Sequence, residues 1–279
     1  MATDITIDVF LRAALAEDIG SGDVTTEATV DNVAAEMVWI AKSPLVVCGL
    51  DVAGRVFELL DPGCGLTMLM EDGSRAAVGE QILRIMGPAR ALLTGERVAL
   101  NIAQRLCGIA TLTRAFVDAV AGTGARIAAT RKTTPGLRRL EKRAVVAGGA
   151  APHRFGLDDG VLIKDNHIDL CGSIAEAVRR ARRLAHHLLK VEVEVRNLAE
   201  LDEALAAGAD VVLLDNMDDA TLAAGVARAK GRAQTEASGN MTLDRVGAVA
   251  RLGVDFISVG ALTHSAPAAD ISARVPRRR

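Results

Sequence analysis

The sequence has few aromatic residues: its 279 positions include one Trp, five Phe and no Tyr. Proteins that stack the bases of single-stranded nucleic acid need aromatic faces, so this shortage argues against that class of function. The formal net charge of −2 predicts no general attraction to nucleic acid or to anionic membranes. No apolar stretch reaches the length of a membrane span. We therefore expect neither a nucleic-acid partner nor a membrane partner.

The four cysteines, Cys48, Cys64, Cys107 and Cys171, stand far apart and form no C-x-x-C pair. Free thiols in a reducing compartment explain this spacing most simply, and a cysteine-based zinc site is not expected. The N-terminal residues MATDITIDVFLRAALAED carry acids where a signal peptide needs basic residues before an apolar run. We therefore expect a soluble, cytoplasmic protein. The basic residues Arg277–Arg279 are expected to form a solvated chain end.

The first part of the chain, residues 1 to about 107, has the pattern of a small α+β domain with an antiparallel sheet. Apolar periodicity predicts a helix over Ile7–Ala16. A second helical run, from Ala91 to Val120 with a break near Gly108, leads into the rest of the chain. Strand-like runs lie between these helices, at Glu36–Ala41, Pro44–Cys48 and Gln81–Met86.

From Ala125 onward, a pattern of strand, loop and helix repeats about six times, with ~20–30 residues in each unit. Gly208 and Gly253 stand just past predicted helices, where a left-handed cap favours glycine. We predict an incomplete parallel α/β barrel; a doubly wound sheet is the alternative, although no G-x-G-x-x-G follows a strand. The predicted strands are Arg126–Arg131, Gly160–Lys164, Lys190–Val195, Asp210–Leu214, Ala233–Ala237 and Asp255–Val259. The predicted helices include Ser173–Leu189, Leu198–Ala207 and Leu243–Leu252.

Cationic side chains gather around the first two of these strands. The run ATRKTTPG contains Arg131 and Lys132, the following loop contains Arg154, and the second strand ends in Lys164. Several cations at one rim form a trap for a substrate that carries several negative charges. Carboxylates and phosphates are therefore the first candidates for the ligand.

The later strands carry carboxylates and glycines. The run VEVEV places Glu192 and Glu194 on one face of the third strand, and the fourth strand ends in Asp215. One acid at a strand end is as readily a helix cap, but polar groups or glycines at all six ends favour a site. Carboxylates together with substrate phosphates suit Mg²⁺. In barrels, a phosphate cradle follows the last two strands. The groups in that place are Ser238, Gly239, Asn240 and Gly260.

These motifs resemble the quinolinate phosphoribosyltransferase family over essentially the whole chain. The matching segments, in the family's order and spacing, are EDIGSGDVTT, GERVALNIAQRLCGIAT, TRKTTPGLRRLEKRAV, GLDDGVLIKDNHI, VEVEV, VVLLDN, EASGN and GVDFISVGALTHS. The resemblance implies an N-terminal open α/β sandwich domain over 1–107 and a barrel over 108–267, with the tail 268–279 packing back onto the first domain. It also implies a homodimeric, Mg²⁺-dependent enzyme. The implied reaction transfers phosphoribosyl from phosphoribosyl pyrophosphate to quinolinate with decarboxylation, giving nicotinate mononucleotide, pyrophosphate and CO₂ for NAD biosynthesis.

The resemblance also implies roles for individual residues. Arg97 of one subunit would reach the active site of its partner and contact quinolinate there. The other quinolinate-binding residues would be Arg131, Lys132, His153, Arg154 and Lys164. Glu194 and Asp215 would bind Mg²⁺ and the ribose hydroxyls, and the 5-phosphate would lie at Ser238, Gly239 and Gly260. Asn240 is a further predicted substrate-binding residue. The catalytic residues would be Lys132, Lys164, Glu194 and Asp215.

Two positions depart from the family pattern. Pro152 stands where Asn generally precedes His-Arg, and Ala129 stands where Asp commonly precedes Thr-Arg-Lys. Proline before His-Arg resembles a phosphoribosyltransferase paralogue associated with molybdenum transport, which typically lacks the Lys-Asp-Asn-His run present here. A barrel that binds a phosphorylated ligand without catalysis is a second alternative. An aldolase-type lyase or phosphosugar isomerase that uses Lys164 as a Schiff base is a third.

Overall fold

The structure is a computed structural model that describes residues 5–276. The basic residues 277–279 lie outside the described residues. The strands are β1 Ala34–Ala41, β2 Leu45–Val46, β3 Gly65–Met68, β4 Arg75–Ala76, β5 Gln81–Pro88, β6 Arg126–Ala128, β7 Val161–Ile163, β8 Val191–Val195, β9 Val211–Asp215, β10 Gln234–Ser238, β11 Phe256–Ser258 and β12 Ile271–Arg274. The helices are α1 Ile5–Ile19, α2 Val24–Thr29, α3 Leu50–Leu60, α4 Ala89–Ala119, α5 Arg138–Ala147, α6 Asp165–Cys171, α7 Ile174–Leu184, α8 Leu198–Ala206, α9 Asp219–Ala229, α10 Leu243–Arg251 and α11 Ala261–His264.

The chain divides into two compact units. Unit 1 comprises the residues up to Leu112, the segment Thr134–Gly149 and the residues from Ala266 onward. Unit 2 comprises Thr113–Thr133 and Ala150–Ser265. Among the residues that the structure describes, no helix has both the length and the apolar character that crossing a membrane requires.

The main sheet of unit 1 is antiparallel, in the order β12–β1–β5–β3. Its strands bury Met37, Trp39 and Leu83 completely. The ring of Trp39 meets the edge of Phe57 on α3, with 6.3 Å between the ring centroids. The sheet and α3 therefore share one apolar core, although the sequence patterns did not reveal α3. The predicted α/β domain with an antiparallel sheet is confirmed.

The predicted break of α4 near Gly108 is wrong, because the helix runs without interruption through this position. Glycine lowers helix stability by about 1 kcal/mol relative to alanine, which is why its position suggested a break. A Cβ at Gly108 would lie 2.0 Å from the carbonyl oxygen of Pro267. The absence of a side chain at Gly108 thus allows the C-terminal segment to pack closely against α4. In this segment, the N–H of Ala269 donates to the carbonyl oxygen of Gln104 at 2.8 Å.

The sheet of unit 2 is parallel, in the order β6–β11–β10–β9–β8–β7. Neighbouring strands follow one another along the chain, and the first strand lies beside the last. A doubly wound sheet reverses its order at a switch point, and this sheet does not. Within residues 5–276, β6 and β7 are the two ends of the order, so the ring of strands is open between them. The predicted incomplete parallel barrel is confirmed.

Two predicted boundaries in unit 2 need correction. The first strand ends at Ala128 rather than Arg131, so Arg131 lies in the following loop. Helix α7 ends at Leu184 rather than Leu189, because Ala185 takes up an extended conformation. The side chains of Leu184 and Leu188 are exposed, so no buried apolar face continues past the helix end. The other predicted strands and helices of this unit agree with the structure to within a few residues at each end.

Candidate active site

A cavity of about 570 Å³ opens at the carboxyl ends of the parallel strands. Lys164 follows β7, Glu194 is the penultimate residue of β8, and Asp215 is the last residue of β9. Active sites of α/β barrels lie at this face. The structure brings ten of the predicted site residues to the cavity wall: Arg131, Lys132, His153, Arg154, Lys164, Glu194, Asp215, Ser238, Gly239 and Asn240.

The other two predicted residues are placed differently. Gly260 follows β11, where an added Cβ would lie 2.9 Å from Cδ of Lys132. Glycine at this position therefore leaves room for the Lys132 side chain. Arg97 belongs to unit 1, where it is exposed on α4.

One side of the cavity carries the cations Arg131, Lys132, Arg154 and Lys164, which we call the cationic side. Nε of Arg131 is buried and has no hydrogen-bond partner among the described residues. Burial, followed by the positive charge of Arg131, lowers the pKa of the Arg154 guanidinium. An anion placed between these two guanidinium groups would satisfy a buried donor and relieve their repulsion.

Glu194 and Asp215 supply carboxylates to the same cavity, and we call them the carboxylate side. Glu194 forms an ion pair with Lys164, in which the glutamate is largely buried and the lysine is half-exposed. Oδ2 of Asp215 accepts a hydrogen bond of 2.7 Å from the side-chain amide of Asn216. Two carboxylates on one wall fit the oxygen ligands that Mg²⁺ prefers, together with substrate phosphates. Glu194 and Asp215 are therefore the residues that could hold this ion.

The turn after β10 approaches the turn after β9 closely. Gly239 has a φ of 96°, and an added Cβ would lie 2.2 Å from Oδ1 of Asn216. Asn216 and Asn240 also have positive φ angles, of 53° and 47°. The N–H group of Asn216 donates to the carbonyl oxygen of Ser238 at 3.0 Å. Glycine is therefore required at position 239, both because φ is positive and because a side chain would collide with Asn216. This position is part of the predicted phosphate site.

Two buried glutamates and a histidine lie between this cavity and a second one of about 430 Å³. We call His153, Glu192 and Glu236 the floor cluster. His153 and Glu236 line both cavities, and Glu192 lines the second. Nε2 of His153 lies 3.4 Å from Glu236 Oε2 and 3.7 Å from Glu192 Oε2. Burial, and then the charge of Glu236, raise the pKa of Glu192 to about 7.

The sequence patterns only partly revealed the floor cluster. The alternation in β8 placed Glu192 on the same face as Glu194, but neither Glu192 nor Glu236 received a role. No local signal could have shown that His153 has a φ of 53°, or that its Nδ1 accepts the N–H of Arg154 at 2.8 Å.

The two departures from the family pattern lie close to this cluster or in the cavity wall. Pro152 directly precedes His153. Ala129 is buried in the cavity wall, and its N–H donates to the carbonyl oxygen of Ala151 at 2.9 Å.

His167 follows the second barrel strand but does not line the cavity. Its Nδ1 accepts the backbone N–H of Lys164 at 3.0 Å, which caps the start of α6. Because its ring caps α6, His167 does not line the cavity, whereas Lys164 does.

Two family models match almost the whole chain. Residues 23–107 match the N-terminal domain of quinolinate phosphoribosyl transferase, and residues 109–274 match its C-terminal domain. The chain belongs to the quinolinate phosphoribosyltransferase family. The family resemblance seen in the sequence is thereby confirmed.

Relatives within the quinolinate phosphoribosyltransferase family align over nearly the whole chain. A Bacillus subtilis protein named as a probable nicotinate-nucleotide pyrophosphorylase (carboxylating) is 46% identical, over 92% of this chain and 89% of its own. The Mycobacterium leprae protein named as the same enzyme is 44% identical, over 94% of each chain. The solved structure of the nicotinate-nucleotide pyrophosphorylase from Francisella tularensis is 38% identical and superimposes with a TM-score of 0.93, covering 99% of this chain and 98% of the other.

Proposed function

We propose that this protein is a pentosyltransferase that converts quinolinate and phosphoribosyl pyrophosphate to nicotinate mononucleotide, pyrophosphate and CO₂, a step of NAD biosynthesis. Its family membership supports this reaction. The observation that carries the proposal is the buried, unpartnered Nε of Arg131 in the wall of a cavity rich in cations. A buried donor without a partner is costly, and a substrate carboxylate would satisfy it.

The cationic side binds quinolinate. Arg131 and Arg154 receive the carboxylates, and Lys132 and Lys164 add further positive charge around the diacid. His153 lies next to Arg154 at the base of this side. A monoacid such as nicotinate would leave one of these cations without a partner, so the charge count favours the diacid.

The carboxylate side binds phosphoribosyl pyrophosphate. Glu194 and Asp215 hold Mg²⁺ and the ribose hydroxyls, and the 5-phosphate lies at Ser238, Gly239, Asn240 and Gly260. Mg²⁺ held there would supply positive charge to the pyrophosphate leaving group. Departure of pyrophosphate builds positive charge on the ribose ring, and the two carboxylates stabilise that charge.

The reaction then proceeds at two atoms of the pyridine ring. The bond from C1 of the ribose to pyrophosphate breaks, its electron pair leaves with the pyrophosphate, and the pyridine nitrogen forms the new bond to C1. The resulting pyridinium accepts the electron pair of the bond to the 2-carboxylate, which leaves as CO₂. A proton then completes C2. Lys164, which is ion-paired with Glu194 in the free protein, connects the two sides of the cavity.

A homodimer completes each site in this proposal, with Arg97 contributed by the partner subunit. Exposed Arg97 on α4 is available for such a contact. We expect Arg97→Ala and Lys164→Ala proteins to be inactive alone and to regain partial activity when mixed, because one site of the mixed dimer would be intact. Activity is measured after subunit exchange. No recovery in a verified mixed dimer would show that each site is self-contained.

The Schiff-base alternative has little support from the structure. It requires a lysine that is desolvated or placed beside another cation so that its amine is free. Lys164 is half-exposed and ion-paired with Glu194, so it is not the desolvated lysine that this alternative requires. Trapping of a carbonyl substrate on Lys164 with borohydride would revive this alternative.

A product assay tests the proposed function. Purified protein is incubated with Mg²⁺, phosphoribosyl pyrophosphate and either quinolinate or nicotinate. We expect nicotinate mononucleotide and CO₂ from quinolinate alone. No product from folded protein would favour the molybdenum-associated paralogue and direct attention to Pro152. The cytoplasmic location, with which the four free cysteines agree, stays a prediction.

A further inference from the structure

The floor cluster contains two buried carboxylates to which the proposed function gives no role. Glu236 is 4% exposed and Glu192 is 8% exposed, and Oε1 of each has no hydrogen-bond partner among the described residues. Burying an ionised carboxylate is costly unless a partner compensates for the lost water. Stability alone therefore does not explain why two buried carboxylates lie beside a single imidazole.

The position of His153 supplies the first part of that explanation. Its φ of 53° is uncommon for a residue other than glycine and has to be maintained by the surroundings. Nδ1 accepts the N–H of Arg154 at 2.8 Å, so a neutral ring carries its proton on Nε2. Nε2 therefore directs an N–H group toward Glu236 and Glu192.

Arg154 supplies the second part. The hydrogen bond to Nδ1 couples its backbone to the position of the His153 ring. Its guanidinium has a long hydrogen bond, of 3.4 Å, to the carbonyl oxygen of Gly160. It also lies in the repulsive field of Arg131 and the attractive field of Glu192. The direction of this guanidinium therefore depends on the backbone turn beneath it and on the buried carboxylate.

We propose that Glu192 and Glu236 are positioning residues for quinolinate binding. Glu236 and Glu192 hold the His153 ring in its left-handed turn, and this turn directs the Arg154 guanidinium toward the substrate carboxylate. Their effect on the substrate is indirect and requires oxygen atoms at a fixed place, not merely negative charge. The inference rests on the proposed function, because quinolinate is the ligand that Arg154 would bind.

A divalent metal ion is the competing explanation for the floor cluster. One ligand atom from each of its three residues lies within 4.8 Å of the others. A histidine that binds a metal through Nε2 normally donates its Nδ1 proton to another group. Here Nδ1 accepts a hydrogen bond from Arg154, which leaves the proton on Nε2 and opposes a metal ligand there.

Two substitutions separate position from charge. Glu236→Gln keeps an acceptor oxygen in place and removes the charge, whereas Glu236→Asp keeps the charge and withdraws the oxygens by about 1.5 Å. We expect Glu236→Asp to raise the Kd and KM for quinolinate about tenfold, and Glu236→Gln to change them by less than about threefold. The KM for phosphoribosyl pyrophosphate and kcat should remain within about twofold in both variants, because the carboxylate side is untouched.

Three results would overturn the inference. If the carboxylate acts only through charge, Glu236→Gln should bind the dianion more tightly and Glu236→Asp should bind it normally. A merely structural role would change kcat and both KM values together. A metal site would give stoichiometric divalent metal in the wild-type protein, by elemental analysis, and its loss in both variants.

Asp255→Asn is the matched control, since it removes a carboxylate from the same barrel outside the cavity, and its quinolinate Kd should equal that of the wild type.

The wild-type protein distinguishes failure of this inference from failure of the proposed function. If wild-type protein makes nicotinate mononucleotide from quinolinate but the Asp and Gln variants behave alike, only the positioning role is wrong. If folded wild-type protein neither binds nor converts quinolinate, the proposed function fails and the positioning role fails with it. A normal proton NMR spectrum and thermal midpoint for each variant ensure that unfolding is not read as weak binding.

Discussion

The two ends of the parallel sheet use carboxylates in different ways. At the amino ends, Asp210 accepts the backbone N–H of Val191 at 2.7 Å, and Asp255 accepts the N–H and hydroxyl of Thr235 at 2.7 and 2.9 Å. At the carboxyl ends, Glu194 and Asp215 interact with other side chains, Lys164 and Asn216 respectively. Bonds to backbone groups join neighbouring strands. Side-chain partners, in contrast, can be exchanged for a ligand.

This difference teaches that burial and charge alone do not identify a functional carboxylate. The groups to which the carboxylate is bonded are more informative. A carboxylate that already accepts hydrogen bonds from a neighbouring strand is not available to a substrate. One that is paired with another side chain in a cavity can exchange that partner for a ligand.

The largest expected effect is on catalysis at the carboxyl ends. Asp215→Asn should lower kcat about a hundredfold to a thousandfold, because it removes negative charge that stabilises the ribose cation and holds Mg²⁺. The thermal midpoint should hardly change, because the hydrogen bond of the Asp215 side chain goes to its neighbour Asn216 rather than to another strand. Steady-state kinetics and thermal unfolding measure the two effects. A large fall in stability would place Asp215 with the structural carboxylates.

The next effect is on substrate binding at the same end. Arg131→Ala should raise the Kd for quinolinate about 30-fold or more, because the carboxylate would lose a charge-assisted partner in a buried place. The KM for phosphoribosyl pyrophosphate should change by less than about threefold. Calorimetry and kinetics with each substrate varied provide the values. Equal losses for the two substrates would remove Arg131 from its assigned role.

The smallest effect on activity is expected at the amino ends. Asp255→Ala should lower the free energy of unfolding by about 1–3 kcal/mol, because Thr235 loses the acceptor of two hydrogen bonds. Both KM values and kcat should match those of the wild type below the unfolding transition. Urea unfolding together with the product assay tests this. Loss of activity without loss of stability would contradict the division between the two ends.

The sequence was sufficient to predict the carboxyl-end site because its signals are local. Buried apolar runs mark the strands, and the residues after them, such as Lys164 and Asp215, must gather at one edge of a parallel sheet. Reasoning from the residues located nine of the ten predicted residues in the cavity wall, and the family resemblance added His153. The roles of these residues, the dimer and the Mg²⁺ site remain proposals, since they concern molecules outside the single chain.

Other features could not be predicted because tertiary contacts determine them. Gly108 suggested a helix break, and only the close approach of Pro267 explains why glycine occupies this position in a continuous helix. The left-handed turn at His153 brings its ring beside Glu192 and Glu236, which lie on other strands and which no sequence spacing connects to it. In each case the decisive partner lies far away along the chain.

Release of labelled CO₂ tests the proposed function most directly. Quinolinate labelled in its 2-carboxylate is incubated with Mg²⁺ and with wild-type, Asp215→Asn or Asp255→Ala protein, in the presence or absence of phosphoribosyl pyrophosphate. We expect labelled CO₂ only when phosphoribosyl pyrophosphate is present, at wild-type rates with Asp255→Ala and at a rate about a hundredfold or more lower with Asp215→Asn. Release without phosphoribosyl pyrophosphate, or no release by folded wild-type protein, would contradict the proposed reaction.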